Sequence, residues 1–458
     1  MNNKIKEYYE GIAGKKVYFL GAGISHSELI RKYTSYGADV TLCDIREEDK
    51  LSSYIATLSN LDIRYILGKD YLSSLSEADI IFRTPGIDYT KPEIQDAVKE
   101  GITVTSEIEM FFEFCPCLSI GITGSDGKTT TSSLIAAVLE EKGYTVWLGG
   151  NIGRPLFPLI ESITKDDIAV VELSSFQLIS MKRSPHISII TNITPNHLDH
   201  HKDMKEYIDA KRNILLYQTP DDIAVLNIDN DITNRLSSDV NGELRYFSQS
   251  KVTNGSYIEK NNLFYSNEDQ IDYVMPLDNL IIRGEHNKQN VAAAYAALYN
   301  LVDDEAFSKA VSSFKGVEHR IEFVGEINGV RWYNDSIATT PTRTIAGLRS
   351  FDQKIILIAG GSEKGLSYEP LAEDIKGGVK CLFLSGPTGP KIADVAKDSE
   401  ADIFFTKDIV ESVEKAYEYA VDGDIVMMSN ASPSFDSYSG FEARGKHFKE
   451  LVNALKQR

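Results

Sequence analysis

The densest chemistry in the chain lies in Gly121-Ile122-Thr123-Gly124-Ser125-Asp126-Gly127-Lys128-Thr129-Thr130. Glycines let backbone N–H groups crowd around phosphate oxygens. A lysine at the end of such a loop reaches the terminal phosphates of a nucleotide. The threonine hydroxyl after it can hold a magnesium ion. The context fits. Leu118–Thr123 reads as a strand, and Thr129 to about Lys142 reads as a helix with Leu134, Ile135, Val138 and Leu139 at helical spacing. The helix N-terminus adds partial positive charge where phosphate would sit. Ile122 stands where the common phosphate-loop pattern has glycine, so a generic pattern search misses this loop.

Other residues could complete a metal site. Glu172 ends one predicted strand (Ile168–Leu173). His197 lies just past another (Ile187–Ile193), in Asn192-Ile193-Thr194-Pro195-Asn196-His197-Leu198-Asp199. In doubly wound sheets that edge holds the ligand. Glutamate suits magnesium; histidine is an unusual ligand for a hard cation. His200 and His201 follow, and composition does not choose among the three. Lys211, in Ile208-Asp209-Ala210-Lys211, reads by itself as a solvated helix lysine. Near the start, Gly21-Ala22-Gly23-Ile24-Ser25-His26 is a dinucleotide-like turn with His26 in the place of the third glycine. Asp44 ends the next strand, where a ribose-binding acid sits. Arg83-Thr84-Pro85-Gly86-Ile87 is a further strand-end turn.

The elements that must position these groups alternate. Short apolar strands and amphipathic helical stretches follow one another almost throughout, the pattern of α/β domains with largely parallel sheets. We expect a Rossmann-like first domain over 1–106, a phosphate-loop ATPase domain over 107–316 and a Rossmann-like third domain over 317–458. Leu236–Leu277 is rich in Asn, Ser and alternating aromatics and reads as short strands and turns added to the second. A chain of 458 residues suits three domains of ~100–200 residues. The formal net charge of −19 disfavours broad nucleic-acid binding. The four cysteines lack zinc or redox spacing and read as reduced thiols. No signal core and no run approaching the ~20 apolar residues of a membrane helix occur, so the expected location is the cytoplasm, with no membrane insertion.

Several segments together resemble the Mur ligases of peptidoglycan synthesis, nearest to the branch that adds D-glutamate. They are GITGSDGKTTT, GGNIG (149–153), VELSSFQL (171–178), NITPNHLDHH with YIDAKRN, RGEHNKQNVAAA (283–294), GVEHRIEFVGEINGVRWYNDSIATTP (316–341) and SFDSYSGFEARGKHF (434–448). They run through nearly the whole chain in the family's order. The resemblance implies an ATP- and Mg2+-dependent amide-forming ligase acting on UDP-MurNAc-L-Ala and D-glutamate, as a monomer.

It also implies roles. Gly124, Ser125, Asp126, Gly127, Lys128, Thr129 and Thr130 would line the ATP phosphates, Asn287 and Asn290 the adenine, Arg320 the terminal phosphate and Asp335 the ribose. Ile24, Ser25, Asp44, Arg46 and Gly86 would line the UDP pocket, with Asn151 and His197 on the same substrate. Thr129, Glu172 and His197 would hold magnesium. Lys211 matches a lysine that the family carbamylates, which would make it an anionic metal ligand and reverses its solvated reading. Lys128, Lys211, His197 and Arg320 would be the catalytic set; Thr339, Lys364, Ser434, Phe435 and Phe441 would form the D-glutamate site.

Ile337 departs from the lysine many relatives carry, Asp126 from a common asparagine, and His26 from glycine. The competing readings are a sibling ligase for another amino acid, a folylpolyglutamate synthase, a nucleotide-dependent regulator without ligation chemistry and, more weakly, a dehydrogenase. Lys364 with Ser434 and Phe441 favours glutamate, and Asp44 with Arg46 favours the UDP-sugar.

Overall fold

The computed structural model describes residues 3–197, 200–268 and 270–456. It is an α/β protein with three sheets. Two compact units divide it: residues 1–278 with 288–311, and residues 279–287 with 312–458.

The first unit holds two sheets. Strands β1 (Lys16–Leu20), β2 (Asp39–Asp44), β3 (Arg64–Leu67), β4 (Ile80–Arg83) and β5 (Thr103–Thr105) form an all-parallel sheet in the order β3-β2-β1-β4-β5. The strand order reverses between β1 and β4, which is where such sheets bind ligands. The Gly21 turn and the Arg83–Ile87 turn both open there. Phe19, Phe82 and Tyr33 fill one face of this sheet and join a continuous core that runs through Tyr9, Phe111 and Phe157 to Val171 and Leu173.

The second sheet comprises β6 (Leu118–Thr123), β7 (Val146–Gly150), β8 (Ile168–Glu172), β9 (Ile187–Ile190), β10 (Ile223–Asn227), β11 (Glu243–Ser248), β12 (Asn254–Glu259), β13 (Asn262–Asn267) and β14 (Gln270–Pro276). Its order is β14-β13-β12-β11-β10-β9-β6-β8-β7. Strand β6 therefore sits between β8 and β9, and all three are parallel. Such strands are covered on both faces and read as unbroken apolar runs. The Asn- and Ser-rich region forms β11 to β14. β11 pairs in parallel with β10, so it extends the main sheet, and β12 to β14 close it as an antiparallel meander. Strand β9 ends three residues earlier than its apolar run suggests, because Thr191 onward turns aside to brace the phosphate loop.

The second unit holds β15 (Glu322–Ile327), β16 (Val330–Asn334), β17 (Ile355–Gly360), β18 (Val379–Ser385), β19 (Asp402–Phe405) and β20 (Ile425–Met428), in the order β15-β16-β20-β17-β18-β19. Only the β15–β16 pair is antiparallel. Its two faces are packed by separate cores, one around Leu357, Leu382 and Met427, the other around Trp332, Ile358 and Phe448. Among the described residues no helix is long and apolar enough to cross a membrane.

Candidate active site

Strand β6 delivers the chain into the phosphate loop, and the helix Lys128–Lys142 leaves it. Two glycines are required here. Gly124 has φ +150°, and a Cβ would overlap Thr191 Oγ1 and press on the Asn192 backbone. Gly127 has φ +80°, and its Cβ would lie 2.5 Å from Asn290 Oδ1. The segment after β9 stitches the loop down. The Ser125 N–H donates to Asn192 O (2.8 Å), the Asp126 N–H to Asn192 Oδ1 (2.9 Å) and the Thr194 N–H to Ser125 Oγ (2.9 Å). Ser125 Oγ also lies 3.0 Å from Tyr207 OH. Lys128 folds back over the loop, donating from Nζ to Gly124 O (2.9 Å) and Ser125 O (3.0 Å). Thr129 is partly open in the first helical turn and Thr130 is buried.

Beside the loop lie two buried ionisable side chains of opposite kind. Glu172, at the end of β8, is 1% exposed. Its Oε1 accepts from Asn151 Nδ2 at 2.7 Å, while Oε2 is buried with no hydrogen-bond partner. Lys211, on the helix Met204–Leu216, is also 1% exposed, which overturns its reading as a solvated helix lysine. Its Nζ donates to Gly124 O (2.8 Å) and Thr123 Oγ1 (3.2 Å) and lies 4.8 Å from the centre of the Tyr207 ring. Burial first, then the nearby Lys128, push its ammonium well below the ordinary lysine range, against the pull of Glu172 and Asp126. An uncharged amine is the form that adds carbon dioxide.

The three histidines separate by environment. His201 is buried and fully engaged. Nε2 is 2.9 Å from Ser175 Oγ, Nδ1 is 3.2 Å from Glu206 Oε2, and the ring stacks on Phe176. His197 and His200 are exposed and meet Phe176 edge-on. His197 has φ +55°, a conformation that costs a residue with a Cβ about 1 kcal/mol or more. Leu198 and Asp199 of the same motif lie outside the described residues. Among the described residues, no three His, Cys, Asp or Glu side chains cluster tightly enough to hold a metal. The donors that fit a hard cation here are the orphaned Glu172 oxygen, the Thr129 hydroxyl and phosphate oxygens.

At the first sheet's switch point, Asp44 accepts from the Ala22 N–H (2.7 Å) and from the Arg46 N–H and Nε (both 2.9 Å). Burial raises its carboxyl, but these bonds outweigh it and hold the group below the usual carboxylate range. His26 is fully buried, its Nδ1 2.9 Å from Gly21 O and its Nε2 without a partner. Burial pushes it down to about 4, so it is a neutral plug in this turn at pH 7. Ser25 is partly open in the first turn of the helix Ile24–Ser35, and the Ile24 side chain lies outside the described residues.

A cavity of about 230 Å³ opens nearby, lined among others by Arg83, Gly86, Tyr89, Asn151, Phe176 and His200. Gly86 has open space where a Cβ would stand. Arg83 had read only as turn chemistry. Its buried guanidinium donates to Ile87 O (2.7 Å), Phe176 O (2.9 Å) and Ser180 Oγ (3.2 Å), latching the turn to the helix Ser175–Leu178. An arginine closing an apolar strand was the available signal.

In the second unit, Asp335 is buried at the end of β16, accepting from Ser429 Oγ (2.6 Å) and the Ile321 N–H (3.2 Å). Burial raises its carboxyl to about 7. Arg320 sits between two residues at positive φ, His319 (+65°) and Ile321 (+43°); the second is rare for a β-branched residue. The residues expected around D-glutamate occupy different settings. Ser434 is buried, Thr339 and Phe441 are partly open, and Lys364 and Phe435 are exposed. Phe441 meets the His319 ring edge-on, and its carbonyl accepts from Ser336 Oγ (2.8 Å). Arg444, unremarked in the sequence, is buried and clamps Ser336 O (2.9 Å) and Ser432 O (3.1 Å). Asn290 packs under the phosphate loop, 3.3 Å from Thr131 Oγ1, and Asn287 Nδ2 donates to Arg283 O (2.7 Å).

Three family models match the chain: "Mur ligase MurD-like, N-terminal domain" over residues 15–106, "Mur ligase middle domain" over 122–298 and "Mur ligase, glutamate ligase domain" over 319–431. The chain belongs to the Mur ligase family. It is 47% identical to the UDP-N-acetylmuramoylalanine–D-glutamate ligase of Acetivibrio thermocellus, across 99% of this chain and all of that one. It is 44% identical to the enzyme of the same name from Ruminiclostridium cellulolyticum, across the full length of both. Among solved structures, the fold is similar to UDP-N-acetylmuramate–alanine ligase MurC of Thermotoga maritima, with a TM-score of 0.58 at 19% identity, covering 96% of this chain and 99% of that one.

Proposed function

We propose that this chain is an ATP-dependent ligase that joins D-glutamate to UDP-N-acetylmuramoyl-L-alanine. The end-to-end identity to D-glutamate ligases supports the substrates. The observation that carries the chemistry is the juxtaposition at the phosphate loop. A buried amine of lowered basicity, Lys211, donates to the loop, and a buried carboxylate oxygen on Glu172 waits without a partner.

In this reading a carboxylate oxygen of the alanyl substrate attacks the γ-phosphorus of ATP. The bond to the β,γ-bridging oxygen breaks, ADP leaves and an acyl phosphate forms. The D-glutamate nitrogen then attacks the acyl carbon, the carbon–oxygen bond to phosphate breaks, and the nitrogen loses its proton to solvent. The obstacle is electrostatic, since a carboxylate approaches a polyanion. Magnesium held by Thr129, Glu172, His197 and a carbamate on Lys211 would neutralise phosphate charge. Lys128 and the loop N–H groups hold the β- and γ-phosphates, and Arg320 the terminal one; each such contact is worth roughly 2.7–4 kcal/mol in barrier. We assign the remaining loop residues Gly124 to Thr130 to the phosphates, Asn287 and Asn290 to adenine and Asp335 to ribose. Ile24, Ser25, Asp44, Arg46, Gly86 and Asn151 go to the UDP-sugar, and Thr339, Lys364, Ser434, Phe435 and Phe441 to D-glutamate. ATP supply puts the reaction in the cytoplasm.

The test is phosphate release from ATP by the purified chain with each substrate omitted in turn. Release that requires UDP-MurNAc-L-Ala and D-glutamate together supports the reading. Release only with another amino acid moves the specificity to a sibling, and release without either substrate supports a nucleotide switch. Lys128→Ala should lose turnover by ~100-fold or more; near-parental turnover removes the phosphate-loop assignment.

A further inference from the structure

Arg343 has no place in the assignments above, yet its setting in the second unit is unusual. It lies in the first turn of the helix Pro341–Leu348, exposed, with NH1 donating to Ile337 O at 3.2 Å. The Ile337 N–H in turn donates to His319 O (3.1 Å), and the Asp335 carboxylate accepts from the Ile321 N–H. These bonds tie three segments, 319–321, 335–337 and 343, into one cluster. Arg320 and Arg343 each interact electrostatically with Asp335 and with one another. Neither guanidinium has a carboxylate within ion-pair distance among the described residues, whereas Arg349, at the other end of the same helix, is held by Asp374 through two bonds (2.6 and 3.0 Å).

The local charge is therefore unbalanced. The buried Asp335 carboxyl is raised to about 7, so near neutrality it supplies at most one negative charge to two guanidiniums. Crowding by protein atoms, then the charge on Arg320, lower the Arg343 guanidinium. Like charges held together by backbone bonds are matched by an anion that takes both. Planar guanidiniums suit phosphate because they bind it through paired N–H groups.

We propose that Arg343 is a second phosphate-binding residue, acting with Arg320 on the terminal phosphates of the nucleotide. The inference rests on the reading of Arg320 as the terminal-phosphate contact. Ile337, between them in sequence, supplies no charge and serves through its carbonyl, which aims Arg343.

The experiment compares Arg343→Gln, Arg343→Lys and Arg320→Gln in the full chain. It measures ATP, ADP and AMP affinity, steady-state phosphate release and melting temperature. Arg343→Gln should lower kcat/KM for ATP about 10- to 100-fold, the loss of one charge-assisted hydrogen-bonded contact. AMP affinity and melting should stay at parental values, and Arg343→Lys should recover part of the loss. Parental ATP affinity and kcat/KM in Arg343→Gln, with a clear loss in Arg320→Gln, overturn this proposal alone. Parental values in both variants remove the Arg320 reading as well. A loss that extends equally to AMP overturns the phosphate assignment, because it places the effect on the nucleoside or the fold.

Discussion

Glu172→Gln separates a metal ligand from a structural carboxylate. In the parent, Oε1 takes the Asn151 amide at 2.7 Å and Oε2 is buried without a donor. Glutamine keeps the shape and the Asn151 bond, since its carbonyl replaces Oε1. It exchanges an unsatisfied charged oxygen for an unsatisfied neutral N–H. Both cost of the order of 1–3 kcal/mol, the charged one more. The metal-free variant should therefore be as stable as the parent within about 1 kcal/mol, or more stable. Chemistry should move the other way. Losing the charge that holds a cation against the phosphates costs roughly 2.7–4 kcal/mol, or 10²–10³ in turnover. The assay is phosphate release against magnesium concentration, with melting curves run with and without magnesium and ATP. Ligand at 100 times its Kd stabilises the parent by ~2.7 kcal/mol, and the variant should lose most of that gain. Turnover within a few-fold of parental at the same magnesium requirement would refute the argument. So would a variant whose only defect is a lower melting point, which would make Glu172 a support for Asn151.

Three further outcomes follow from the same geometry. His26 in the native state stays neutral down to about 4, while an unfolded histidine takes its proton near 6.5. Native stability is thus lost as pH falls from about 6.5 to 4, by up to ~3 kcal/mol, and His26→Leu should abolish that part of the slope in urea titrations at pH 7 and 5. An unchanged difference between the two pH values would mean that His26 is not neutral in the fold. Gly124→Ala should be worse than Gly127→Ala in both melting and ATP KM. The first meets fixed Asn192 backbone, the second the end of the Asn290 side chain; the reverse order would put the critical approach at Asn290. Lys211→Arg keeps an N–H donor but cannot carry a carbamate. It should be inactive, and parental activity should fall in buffer stripped of carbon dioxide and return with bicarbonate; indifference to bicarbonate would dismiss the carbamate.

Much of this was legible in the residues. The phosphate loop declared itself because its glycines and lysine stand between an apolar strand and a helical run, and Gly124 and Gly127 do adopt backbone angles that other residues resist. The strand–helix alternation gave three α/β sheets because parallel central strands are buried on both faces and read as short apolar runs. Lys211 was not legible from its own surroundings. Asp209 and Arg212 flank it in sequence, and only the packing of its helix against the end of β6 turns that one face inward. The histidine run was ambiguous for a similar reason. Ser175 and Glu206, which engage His201, are brought to it by folding. Arg444 carried no local signal, since an arginine near a helix start usually faces water and this one is buried.

The buried groups also explain why the phosphate loop is braced so heavily. Lys211 and Lys128 both donate to Gly124 O, and their charges oppose one another. A loop free to move would separate them and relax the burial and repulsion that lower the Lys211 ammonium. Thr191, Asn192 and Thr194 prevent that by holding Ser125 and Asp126 through four bonds of 2.5 to 2.9 Å, three to backbone atoms and one to Ser125 Oγ. The brace therefore does two jobs. It holds the Ser125 and Asp126 N–H groups in place, and it keeps Lys211 close to a second cation and away from solvent, the two causes of its lowered basicity. The same segment then runs on to His197, so one short stretch of chain after β9 sets the loop, the amine and a candidate metal ligand together.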